Sequence, residues 1–136
     1  MQQYLVQQME SDIENLGLEI FTKKDYILVK PPEGVNVKYI LQVVEKVFSM
    51  PEFQEKDDIW IFRKGKLNIE FRDLNKIKEF AEKYYPKTSK GKKTAIVAEA
   101  DLQRSLAVLY VDIGKDLPRE IRILSDIKSA EKWITK

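Results

Sequence analysis

The chain has 136 residues, 24 Lys and Arg against 22 Asp and Glu, and neither Cys nor His. Without thiol or imidazole there is no zinc finger, no thiol nucleophile, no Ser-His-Asp triad and no histidine-ligated haem, and a net charge of +2 is too small to imply nucleic acid by itself. With 43% hydrophobic and 34% charged residues, no 18-residue apolar run and no basic-then-apolar leader in MQQYLVQQMESDIE, one cytoplasmic globular domain over 1–136 is expected.

In residues 1–16, Leu5, Met9, Ile13 and Leu16 fall on one helical stripe ahead of Gly17, which predicts an N-terminal helix, with a frayed arm as the alternative. LEIF and DYILVK, separated by Thr22, Lys23 and Lys24, read as a hairpin that Pro31, Pro32 and Gly34 end. From Asn36, an N-cap type, Val37, Ile40, Leu41, Val44, Val47 and Phe48 keep the helical period as far as Pro51. DIWIF at 58–62 is a short buried strand with an exit turn over Arg63 to Lys66, and Leu74, Ile77, Phe80, Ala81 and Tyr84 carry a helix that Pro86 closes. TAIVAEA at 94–100 reads as a central strand, and Asp101 as the cap of a helix to Ile113. IRIL at 121–124 is the last strand, and a final helix from Asp126 buries Ile127, Ala130, Trp133 and Ile134. Strands alternating with amphipathic helices require crossovers. The expected fold is therefore α/β, a mixed sheet whose leading hairpin is antiparallel and whose later strands are parallel.

YILVKPPEG followed by a helix, then DIWIFR, KKTAIVAEADLQRSLAVLY and IRILSDIKSAEKWI, resembles the bacterial SpoIIAA-like proteins, over roughly residues 18 to 136. The closing strand, Ser-Asp turn and helix ending in Trp133 and Ile134 are the most specific part. The resemblance implies a STAS-type fold in a small cytoplasmic protein, commonly dimeric and mostly without assigned activity, for some members of which an apolar pocket and membrane-surface association have been proposed. Two departures limit it. Many relatives resemble LWDLR at the third strand, where Ile61 here replaces the Asp, and the DSSG-like turn that carries the phosphorylated Ser of true antagonists is absent.

Three groups of residues are candidates for chemistry. The helix LQRSLAVLYVDI has a stripe of Leu102, Leu106, Leu109 and Ile113, broadened by Ala107, Val108, Tyr110 and Val111 almost all round. A helix that apolar meets something on its second face, whether a neighbouring helix, a second subunit, an apolar ligand or a lipid surface. With Leu74 from the preceding helix, Leu102, Leu106, Leu109 and Tyr110 form the candidate ligand-binding set, while Trp60 and Trp133 are assigned to the core. The second group is Lys83, Lys87, Lys90, Lys92 and Lys93, a cluster without carboxylates that suits an anionic headgroup or acidic partner, or alternatively an ordinary solvated connection. The third is Glu99 and Asp101 at a strand's C-terminal end, which with Lys64 would serve a small enzyme. The expected function is a noncatalytic regulatory or binding module, homodimeric, without cofactor or metal, holding an apolar or amphipathic ligand or touching a membrane surface. A small enzyme and nucleic-acid binding through the Lys loop are the alternatives.

Overall fold

Lys23, Lys24 and Asp25 interrupt two runs rich in Ile, Leu, Val and aromatic residues, and the chain reverses there. β1 (Glu19–Thr22) pairs antiparallel with β2 (Tyr26–Lys30), and Tyr26 O accepts from Lys23 N–H at 2.9 Å. The structure is a computed structural model that describes residues 17–32, 36–63, 69–84, 91–98 and 100–135, Leu102 by its backbone alone. The expected helix over 1–16 lies outside the described residues; Gly17, its expected stop, takes φ +102°, a left-handed conformation that favours glycine.

β3 (Asp57–Phe62), β4 (Lys93–Ala98) and β5 (Glu120–Leu124) follow β2 in parallel, in the spatial order β1-β2-β3-β4-β5. This is the expected mixed sheet. Each parallel strand is laid beside its predecessor and always in the same direction. Right-handed crossovers then deliver every connecting helix to one face. That face is covered by α1 (Val37–Phe48), the short α2 (Pro51–Glu55), α3 (Asp73–Tyr84) and α4 (Asp101–Ile113). The opposite face is left to α5 (Ile127–Ile134), which folds back from the edge strand.

The register fixes which side chains meet each layer. Ile27, Asp58, Thr94 and Ile121 form one row across the helix-rich face, followed by Val29, Trp60, Ile96 and Ile123. Leu28, Ile59, Ala95 and Arg122 form a row on the other face. α1 starts as predicted: the Asn36 side chain accepts from Tyr39 N–H at 3.3 Å, and Ile40, Val43, Val44, Val47 and Phe48 make the buried stripe. After α1 the chain departs from expectation. Pro51 begins a further helical turn, because the first position of a helix needs no N–H. That turn seats the fully buried Phe53 against Phe48, ring centroids 4.5 Å apart.

β4 ends at Ala98, two residues before the expected end. Ala100, not Asp101, holds the N-cap position of α4, and no side chain caps it; Asp101 is the first helical residue and is exposed. The second expected cap is present. Asp126 accepts from Ser129 N–H at 2.7 Å, and this bond holds its carboxyl below the usual carboxylate range. α5 then buries Ala130, Trp133 and Ile134, while Ile127, expected inside, is 36% exposed. Lys93 Nζ lies 5.4 Å and the Arg122 guanidinium 4.9 Å from the Trp133 ring centroid, and Lys93 also donates to Trp133 O at 3.0 Å.

Candidate functional site

The sheet's helix-rich face does not close completely. Between it and the helices lies a cavity of about 90 Å³. The register puts Trp60 and Ile96 side by side as its floor, with Phe62 and Thr94 beside them. α1 contributes Ile40, Val44 and Phe48, and α3 with its approach contributes Leu74, Ile77 and Ile69. α4 presents Gln103, Leu106, Ala107 and Tyr110, three and four residues apart on one face. Ala107 is the smallest side chain in this wall, and its short reach leaves the space open.

The lining is apolar apart from three groups. Thr94 Oγ1 donates to Asp58 at 2.6 Å, and Gln103 Nε2 donates to Arg63 O at 2.7 Å. The Tyr110 hydroxyl has no hydrogen-bond partner among the described residues. Burial, reinforced by the Asp58 and Glu82 carboxylates, holds that phenol well above its usual range, so it stays protonated at neutral pH.

Of the candidate ligand-binding set, Leu74, Leu106 and Tyr110 come together here. Leu109 is half-buried and does not line the cavity, and the Leu102 side chain is outside the described residues. The sequence reading missed the floor. Trp60 was assigned to the core, and it is buried, but it also faces the cavity with Phe62 and Ile96. The two-residue alternation of DIWIF was the signal, since positions 60 and 62 point the same way. The broad apolar circumference expected of α4 narrows in the structure. Asp101, Arg104, Ser105, Val108 and Asp112 form an exposed stripe on which Val108, 53% exposed, is the one apolar residue.

Beneath the cavity, at the N-terminal ends of the strands, sits a polar cluster that sequence reasoning did not find. Arg119 and Asp58 are both fully buried and meet at 2.9 Å. Arg119 also donates to Lys56 O at 3.0 Å and to Phe53 O, and its guanidinium lies 3.6 Å from the centroid of the Phe53 ring. The Asp58 carboxylate accepts from Thr94 Oγ1 and from Trp60 Nε1, each at 2.6 Å. Burial pushes the Asp58 carboxyl up, against the pull of Arg119 and these donors. Every described contact of this pair joins α2 to the starts of β3, β4 and β5, so its work is to hold those ends together.

Of the lysine cluster, the described Lys83, Lys92 and Lys93 do not line the cavity. Lys83 is exposed at the end of α3; Lys92 and Lys93 are half-buried at the start of β4, and Lys93 faces Trp133 on the opposite side of the sheet. Lys87 and Lys90 lie outside the described residues, as do Glu99 and Lys64 of the carboxylate reading, of which only the exposed Asp101 is seen. Among the described residues no group of His, Cys, Asp and Glu is placed to hold a metal, and no helix is long and apolar enough to cross a membrane. Comparisons with protein-family models, curated proteins and solved structures found no match to this chain.

Proposed function

We propose that this protein is a noncatalytic binding module that holds a small apolar ligand between its sheet and helices α1, α3 and α4. The cavity carries the reading. The space is partly open to solvent and its walls are apolar, so a small apolar ligand seated there would take that surface out of water. One further methylene or two on Ala107 would fill much of the space. The volume is of the order of the roughly 150 Å³ in which engineered apolar cavities bind benzene, and well below the several hundred Å³ of a nucleotide or drug-sized site. The ligand is therefore a single ring or a short alkyl chain, alone or as the apolar end of an amphipathic molecule. Kinship with the SpoIIAA-like proteins is part of the same proposal; the antiparallel pair followed by parallel strands supports it.

Benzene tests the reading directly. A ligand that binds only the folded state raises its stability with concentration, so saturating benzene should raise the melting temperature of the wild-type protein. Ala107→Leu should fold, melt at or above the wild-type temperature without ligand, and lose the benzene response. A wild-type melting temperature indifferent to benzene and cyclohexane would remove the proposal.

A further inference from the structure

The floor of the cavity carries two buried proton donors, the Trp60 indole N–H and the Thr94 hydroxyl, and each is committed to the same carboxylate, that of Asp58. The register explains the convergence. Asp58 lies two residues before Trp60 on the same face of β3 and directly beside Thr94 of β4, so one side chain reaches both. Asp58 is fully buried and does not itself line the cavity. Resting on the reading that the cavity is a ligand site, we infer that Asp58 is its specificity-determining residue. By accepting both donors it leaves a floor of carbon surface, which favours a hydrocarbon ring or chain over one of the same shape that carries an oxygen or nitrogen acceptor.

Bond strength keeps the donors where they are. Trp60 Nε1 lies 2.6 Å from Asp58 Oδ2 and Thr94 Oγ1 lies 2.6 Å from Asp58 Oδ1, while Arg119, 2.9 Å from Oδ1, balances the charge of the carboxylate. A hydrogen bond to a charged acceptor is roughly twice as strong as one between neutral groups. A neutral ligand that drew either proton away would replace a stronger bond with a weaker one and strip a buried carboxylate of a donor. The same contact fixes the ring. Turning the indole off the floor would break its bond to Asp58, and Phe48 stands edge-on against it, centroids 6.4 Å apart. A polar ligand therefore sheds its water at the floor and finds no donor there. Of the other polar lining groups, Gln103 donates to Arg63 O, and Tyr110 belongs to α4, outside the floor.

Benzene and pyridine have nearly the same shape and differ in the acceptor nitrogen. Their dissociation constants are measured by calorimetry, in buffer alkaline enough to keep pyridine uncharged, for the wild type, for Thr94→Val and for the double variant Asp58→Leu with Arg119→Met, which puts apolar side chains in place of the buried pair. The double variant releases the Trp60 and Thr94 protons to the floor, and its preference should move toward pyridine by about fivefold, the worth of one net hydrogen bond. Thr94→Val removes a hydroxyl that no ligand uses, so the preference should stay within about twofold of wild type. Retained benzene binding shows that each variant is folded, and Thr94→Val decides the matter alone if the double variant does not fold. A preference unchanged in a double variant that still binds benzene, or a Thr94→Val loss confined to pyridine, would show that Asp58 does not set the selectivity, while the cavity remains a ligand site. A wild type that binds pyridine as tightly as benzene would equally contradict the carbon floor. If neither compound binds the wild type, the ligand site itself is refuted, and the role of Asp58 in it as well.

Discussion

Arg119→Met is expected to cost about 3–5 kcal/mol of folding stability, which would place it among the most damaging single substitutions in the chain. The reason is the charge left behind. Asp58 is fully buried, and without Arg119 it keeps only Thr94 and Trp60 as side-chain donors. Three backbone and ring contacts of Arg119, to Lys56, Phe53 and the Phe53 ring, go with it. The loss has a definite pH dependence. Burial already raises the Asp58 carboxyl above its unfolded value, and removing the cation raises it further. A carboxyl raised on folding favours the folded state most below its unfolded pKa of about 3.9, and that advantage fades as pH rises through the folded value. The deficit of Arg119→Met relative to wild type should therefore shrink in acid and be full at neutral pH. Urea denaturation at a series of pH values measures it. Arg119→Met combined with Asp58→Leu should regain most of the loss, because an apolar pair replaces the stranded charge. A single-variant deficit below about 1 kcal/mol at neutral pH would mean that the pair does not bind the strand ends together.

Trp133→Ala should cost a comparable amount, about 3–5 kcal/mol, for an unrelated reason. The sequential strand order sends all the crossover helices to one face, so among the described residues α5 alone covers Leu28, Ile59, Ala95 and Val97 on the other. Trp133 is its largest buried side chain, clasped between Lys93 and Arg122. Truncating it leaves a void under eight residues of helix with little else to hold them. Hydrogen exchange should show protection lost first in α5 and next on the β3 and β4 amides beneath it, with α1 retaining its protection. A uniform small loss of protection across the fold would contradict the separate role given to this layer.

These two sites were unequally legible. The sheet could be read because its strands are short β-branched runs set between Pro, Gly and Lys-rich turns, and because amphipathic helices between them force parallel pairing. Trp133 stood out through the spacing of Ala130, Trp133 and Ile134. The Arg119 cluster did not. Its partners are 61 residues apart, at Asp58 and Arg119, and α2, which supplies the Phe53 carbonyl, is too short to show a period. A charged residue at an inward position of a strand, as Asp58 is beside Trp60, was the one local sign. The cavity was half visible. Excess apolar character on α4 pointed to Leu106 and Tyr110, but the same excess took in Val108, which the structure places on the helix's exposed stripe. A void depends on how far opposing side chains reach, and spacing along a chain does not report that distance.

A crystal of the wild-type protein pressurised with xenon tests the ligand cavity most directly, because xenon enters dry apolar cavities and is located by its electron density. A single strong xenon peak is expected among Trp60, Ile96, Leu106 and Ala107, absent from Ala107→Leu crystals treated identically. No peak there, with the space closed by the surrounding side chains or filled by ordered water, would contradict an apolar ligand site in this fold.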